Sequence, residues 1–160
     1  MGHRYFAPDL SNIQLTEPNT YDPNRAYAHA QTANIYFSSY ISRHFSPVII
    51  AFSLHPGGIW TGLQSHLPDM VAMKSVPAVQ KYMKSPAQGA ATTVWAAVGR
   101  CWEGRKGRKG GLYLEDYQVS PPVKEKYELL DRGYKRWAYD VEGQERLWEI
   151  SNGLVGFVEG

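Results

Sequence analysis

An α/β fold with two parallel strands and about three main helices is what this sequence predicts, on three observations. Val48-Ile-Ile-Ala-Phe-Ser53 is a continuous apolar, β-branched run, which suits a strand covered on both faces as in parallel sheets. A second short run, Leu112-Tyr-Leu-Glu-Asp-Tyr117, follows a segment with helical signals. A helix crossing between two buried strands implies a right-handed βαβ unit. Small and apolar residues spaced by three and four over about Arg25 to His44 mark the strongest helix, ahead of both strands.

Taken in order, Met1 to Asn24 is rich in Pro, Asn, Asp and Thr and reads as an irregular surface loop. Asn24 or Asp22 caps the first helix, with Pro23 sharpening its start. Ala26, Ala30, Ala33, Phe37, Tyr40 and Ile41 form its expected packing stripe, and Tyr27, Gln31, Asn34 and Ser38 lie on a neighbouring one. Pro47 closes the junction to the first strand. His55-Pro-Gly-Gly-Ile-Trp-Thr61 leaves that strand's carboxyl end, where a Pro-Gly-Gly turn can bring bare backbone close to a ligand. Leu63 to Lys84 is broken by prolines into short helical pieces and reads as a flap. Ser85-Pro-Ala is a cap followed by proline at the first helical position. The helix it starts runs to about Cys101 and packs Ala90, Val94, Ala97 and Val98. Gly104 to Gly111 is a basic, glycine-rich connector. Pro121-Pro122 breaks the chain after the second strand, Lys124 to Leu130 suggests a helical turn or two, and Asp140 caps a last helix to about Val155. Two strands make a thin sheet for this length, and the first looks built for neighbours on both sides.

At 160 residues the chain is read as one domain, 1–160. A net charge of +2 gives no strong steering towards nucleic acid or an anionic membrane. No apolar run approaches the ~20 residues of a membrane span. Cys101 is the single cysteine, so neither a disulfide framework nor a cysteine zinc site is available within the chain, and a cytoplasmic setting is expected. His44 and His66 lack metal-ligand spacing with any other donor, so no metal is expected. Five tryptophans read as large core anchors.

The chemistry centres on Tyr27 and Gln31. Four-residue spacing stacks the two side chains on one helix face. A cation at the second position would lower a neighbouring phenol's pKa and make it a usable acid/base near neutral pH. Gln31 carries no charge, so the electrostatic half of that arrangement is missing.

Several segments together carry a family resemblance: Ala26-Tyr27-x-x-x-Gln31-Thr-Ala-Asn34, His55-Pro-Gly57 with Thr61, Ser85-Pro-Ala-Gln-Gly-Ala-Ala-Thr92, Gly111-Leu-Tyr-Leu-Glu-Asp116 and Arg146-Leu-Trp148. In this order and spacing the chain resembles the back half of a short-chain dehydrogenase/reductase of the retinol-dehydrogenase and WW-domain-oxidoreductase type found in fungi. The resemblance implies a partial Rossmann-like fold lacking its N-terminal dinucleotide-binding half. It makes Tyr27 the catalytic tyrosine and places Gln31 where the family carries a lysine. Pro56, Gly57, Ile59 and Thr61 match the segment that meets the nicotinamide end of NAD(P), and Gln31 stands at a cofactor-contacting position. The family's glycine-rich turn, catalytic serine and active-site asparagine have no counterpart in this sequence. A truncated relative unable to transfer hydride alone is therefore expected, with no cofactor bound by the isolated chain. Two alternatives stand beside it: a cofactor-independent isomerase or cyclase acting on a small hydrophobic metabolite through Tyr27, and a non-catalytic docking module. Expected partners are a second copy through the 25–44 helix or a full-length family member.

Overall fold

The computed structural model describes residues 2–66, 71–102, 110–127 and 131–157. Four helices and three strands appear in the order α1 (Pro23–His44), β1 (Ser53–His55), α2 (Pro77–Tyr82), α3 (Pro86–Val98), β2 (Tyr113–Glu115), β3 (Gln118–Val119) and α4 (Val141–Val155). Short 3-10 turns add Gly2–Arg4, Gly62–His66, Met73–Ser75, Arg100–Trp102 and Arg136–Tyr139. Three of the helices are long, and β1 and β2 are parallel neighbours in a sheet of order β1-β2-β3, as the α/β reading requires. The chain divides into two compact units, one of Met1–Ser53, Arg105–Tyr113 and Val119–Gly160, the other of Leu54–Gly104 and Leu114–Gln118. Among the described residues no helix is long and apolar enough to cross a membrane.

In the first unit, Asp22 caps α1 by accepting the Arg25 N–H at 2.8 Å, with Pro23 at the first position. The buried face of α1 keeps Tyr40 of the expected stripe but otherwise differs from it. Ala30 and Phe37 are exposed, whereas Ala28, Thr32, Ile35, Tyr36, Ser39 and Ser42 face inward. Short hydroxyl side chains serve there because each finds a backbone partner. Thr32 donates to the Ala28 carbonyl at 3.1 Å and Ser39 to that of Gly111 at 3.3 Å. Ser42 donates to the Ala51 carbonyl at 2.9 Å and accepts the Ala51 N–H at 3.0 Å. Tyr36 donates to the Trp137 carbonyl at 2.7 Å. From α4, the Trp148 ring stacks on Tyr40 with centroids 4.4 Å apart. The tryptophans are all half-buried rather than core-filling.

The N-terminal segment is not wholly a surface loop. Gly2–Arg4 is a buried turn packed on α1, held where Trp137 Nε1 donates to the His3 carbonyl at 2.9 Å and Arg4 to the Asp131 carbonyl at 2.6 Å. A dipeptide as polar as His3-Arg4 gives no hydropathy signal for burial.

The first strand is shorter and later than its apolar run. Ile49 donates its N–H back to the Phe45 carbonyl at 2.9 Å, so the chain is still turning after α1, and Val48 is 90% exposed. Parallel pairing starts beyond that turn, with Gly111 N–H to Ala51 at 2.8 Å and Ser53 N–H to Leu112 at 3.2 Å. β3 returns beside β2 through Asp116 and Tyr117, both left-handed at φ 48° and 61°, the two-residue geometry that matches strand twist.

In the second unit, α3 has the expected start: Ser85 and Gln88 form a reciprocal capping box with Pro86 at the first position. Its buried residues are Gly89 and Thr92, not the expected Ala90, Val94, Ala97 and Val98; Val98 is 71% exposed. The Leu63–Lys84 flap is indeed short helical pieces, with 67–70 outside the described residues. Residues 124–127 are not helical, and 128–130 lie outside the described residues, as does the connector over 103–109. In the first unit again, α4 starts after Asp140 as expected, but the Asp140 side chain makes no cap hydrogen bond, and Gly156 ends the helix in the left-handed conformation at φ 69°.

Candidate active-site residues

Tyr27 and Gln31 belong to the first unit, and Pro56, Gly57, Ile59 and Thr61 to the second. Each set is built locally.

Tyr27 sits one turn into α1 with 58% of its surface exposed, and its hydroxyl makes no hydrogen bond among the described residues. Helical spacing puts Gln31 on the same face. The buried Gly2 turn lies directly against both: a Cβ added at Gly2 would fall 2.5 Å from Tyr27 Cε1 and 3.0 Å from Gln31 Cγ. Glycine at that position thus lets backbone touch the phenol ring where a side chain would displace it. The chemistry available is an exposed phenol beside a neutral amide. The phenol can donate a proton or a hydrogen bond, and the amide adds no positive charge.

In the second unit, the Pro56–Thr61 segment is a network of short bonds. His55 Nδ1 accepts the Gly57 N–H at 3.0 Å, so His55 stabilises the turn. Gly57 is left-handed at φ 96°. The bare backbone of the two glycines meets side chains of the flap: Cβ atoms added at Gly57 and Gly58 would fall 2.8 Å from Lys84 Cδ and 2.6 Å from Met83 Sδ. Lys84 also donates its N–H to the Gly58 carbonyl at 2.8 Å, and its ammonium pairs with the Asp116 carboxylate. Ile59 packs on Gly89 of α3, the close contact that requires glycine there. Thr61 donates both its N–H, at 2.8 Å, and its hydroxyl, at 3.0 Å, to Gln64 Oε1, and Gln64 donates to the Ile59 carbonyl at 2.8 Å.

A hollow of about 510 Å³ opens beside this segment, lined by Trp60, Lys74, Gln80, Met83, Lys84 and Ser85. Lys74 lies over the Trp60 ring at 5.5 Å. Lys84 was not foreseen as part of the site. The signal was present in the paired glycines at 57 and 58, since such a turn is needed where something approaches closely, but the approaching residue is distant in sequence. Among the described residues no group of three or more His, Cys, Asp or Glu could hold a metal ion.

Gln31 is a neutral amide on the face of α1 that carries Tyr27. The glycine turn carries the flap's side chains against its backbone.

No protein-family model matches the chain. It is 43% identical to the short-chain dehydrogenase/reductase prx1 of Penicillium roqueforti, an alignment covering 99% of this chain and 45% of that protein. It is 26% identical to human retinol dehydrogenase 14, covering 94% of this chain and 41% of that one. A crystal structure of an uncharacterised protein from Mycobacterium paratuberculosis shares its fold, with a TM-score of 0.60 at 21% identity over 98% of this chain and 48% of the other. The chain therefore spans less than half the length of the curated relatives it matches.

Proposed function

We propose, for a chain that is homologous to short-chain dehydrogenases/reductases and aligns with part of their length, that these residues are the tyrosine-bearing, substrate-side portion of an alcohol or carbonyl oxidoreductase site and do not transfer hydride by themselves. The family uses NAD(P). The observation that carries the reading is Gln31: it shares a face of α1 with an exposed Tyr27, and it is an amide. A phenol with a cation one turn away can be ionised near neutral pH and act as a base; beside an amide it is restricted to donating.

The family's cofactor supplies hydride chemistry when bound. What these residues contribute is recognition and proton donation. Tyr27 presents a hydroxyl to a carbonyl oxygen.

The test is a fluorescence titration of the purified 160-residue chain with NADH and NADPH, alongside a reductase assay on a hydrophobic ketone such as 2-decalone. The expected result is no saturable nucleotide binding and no turnover. Tight nucleotide uptake, with turnover that vanishes in Tyr27→Phe, would overturn the proposal.

A further inference from the structure

A second cavity lies within the first unit, on a different side of α1 from the phenol. Residue 29 stands about 200° around the helix from residue 27. There the loop from Pro8 to Leu15, together with Tyr21, encloses a cavity of about 350 Å³ against α1. Ala26, Ala30 and Ala33 make the helix wall, and their one-carbon side chains leave the space; Leu10, Ile13 and Leu15 make the loop wall.

The loop is a constructed wall. Buried Asn12 donates to Thr20 Oγ1 at 3.1 Å and accepts the Thr16 N–H at 3.0 Å, while its carbonyl accepts the Leu15 N–H at 3.0 Å. Leu15 is held left-handed at φ 52°, a conformation that a residue with a side chain keeps only where its surroundings enforce it. Asp9 and Arg25 pair across the loop and helix at 3.4 Å.

His29 also lines this cavity. It is 7% exposed, and neither ring nitrogen has a hydrogen-bond partner among the described residues. Burial, reinforced by the Arg25 charge, pushes its pKa down. Asp9 opposes, as does the Ala7 carbonyl, which favours the protonated ring without reaching hydrogen-bonding geometry. The ring is therefore a neutral imidazole near pH 7, with one donor and one acceptor unmet. Leaving such groups unpaired in the interior is costly, and native proteins meet that cost with water, an ion or a ligand.

We propose that this cavity binds a small apolar alcohol or phenol whose hydroxyl supplies the partner His29 lacks. A hydroxyl both donates and accepts, so it satisfies a neutral imidazole in either tautomer. A carboxylate would meet Asp9 on the lining and a ring that carries no charge, and an amine would find that carboxylate already paired with Arg25. The alanine and leucine walls call for a hydrocarbon body, and a partly filled space of this size takes about two fused rings. The site uses neither Tyr27 nor Gln31 and is independent of the oxidoreductase reading.

The test is a proton–carbon NMR titration of the whole chain with 2-naphthol, using naphthalene as the hydroxyl-free control. The expected result is saturable movement of the His29 ring signals and about ten-fold tighter binding of 2-naphthol than of naphthalene. His29→Phe should erase that preference. Ala30→Leu, at an exposed helix position that leaves folding intact, should block both compounds. Equal affinity for the two compounds, the absence of a saturable shift, or binding indifferent to Ala30→Leu would each overturn the proposal.

Discussion

Removing one hydroxyl from α1 gives a stability change whose size and pH dependence both follow from the structure. Tyr36 is 2% exposed and donates to the Trp137 carbonyl at 2.7 Å. That carbonyl also accepts the Asp140 N–H at 3.2 Å, so Tyr36→Phe leaves it with one partner rather than none. The loss at neutral pH is then a net hydrogen bond, about 1 kcal/mol. Burial, and then the Asp140 carboxylate, push the Tyr36 phenol up to about 12. Above pH ~10 the unfolded chain ionises this phenol while the folded chain keeps its proton, so folding binds protons and stability falls as pH rises from about 10 to 12. At pH ~11 the wild type has lost about 1.4 kcal/mol through this one residue, and a phenylalanine loses nothing there. The variant should therefore be less stable at neutral pH, and the two stability curves should cross near pH ~10.7. Urea unfolding followed by far-ultraviolet circular dichroism, in steps from neutral to about pH 11, reads both effects. A deficit that stays constant across the series would refute the linkage between this hydroxyl and the folded state.

Gly57→Ala should destabilise the second unit by about 1–3 kcal/mol, because φ is 96° and the added methyl meets Lys84, whereas Gly62→Ala, with nothing within 4 Å, should be nearly neutral; thermal midpoints of the pair test this, and equal effects would contradict it. His29, lowered by burial and Arg25 against Asp9 and the Ala7 carbonyl, binds a proton more weakly folded than unfolded. Stability should accordingly decline as pH falls below about 6.5 and level off beneath the folded value. His29→Gln should flatten that acid slope in urea titrations, and a slope left unchanged would assign it to other groups.

Much of the helical framework was legible because its signals are local. Asp22 and Pro23 start α1, and Ser85, Pro86 and Gln88 start α3, within four residues of each helix end. The parallel strand pair was readable from two short apolar runs, though not its bounds, and the shared helix face of Tyr27 and Gln31 from helical spacing. The inward face of α1 was not. Hydropathy ranks Ala30 and Phe37 above Ser39 and Ser42, yet the serines are buried because backbone carbonyls from Gly111 and Ala51 arrive to meet their hydroxyls. The same limit hid Lys84 against the Gly57 turn and the burial of His3, Arg4 and His29. Each depends on a segment remote in sequence, and the tendency of Val48 and Ile49 towards strand yielded to a turn bonded back to Phe45.

Tyr36, Ser39 and Ser42 anchor α1 to three separate stretches of main chain, at Trp137, Gly111 and Ala51. Bonds of this kind act like the teeth of a key: a screw motion by one residue swings every side chain through about 100° and disengages all three together. An oily seam would let the helix slip or roll among near-equal settings, but this one admits a single azimuth. The bearing of the phenol at position 27 is thereby dictated from three turns away, by residues that never approach it.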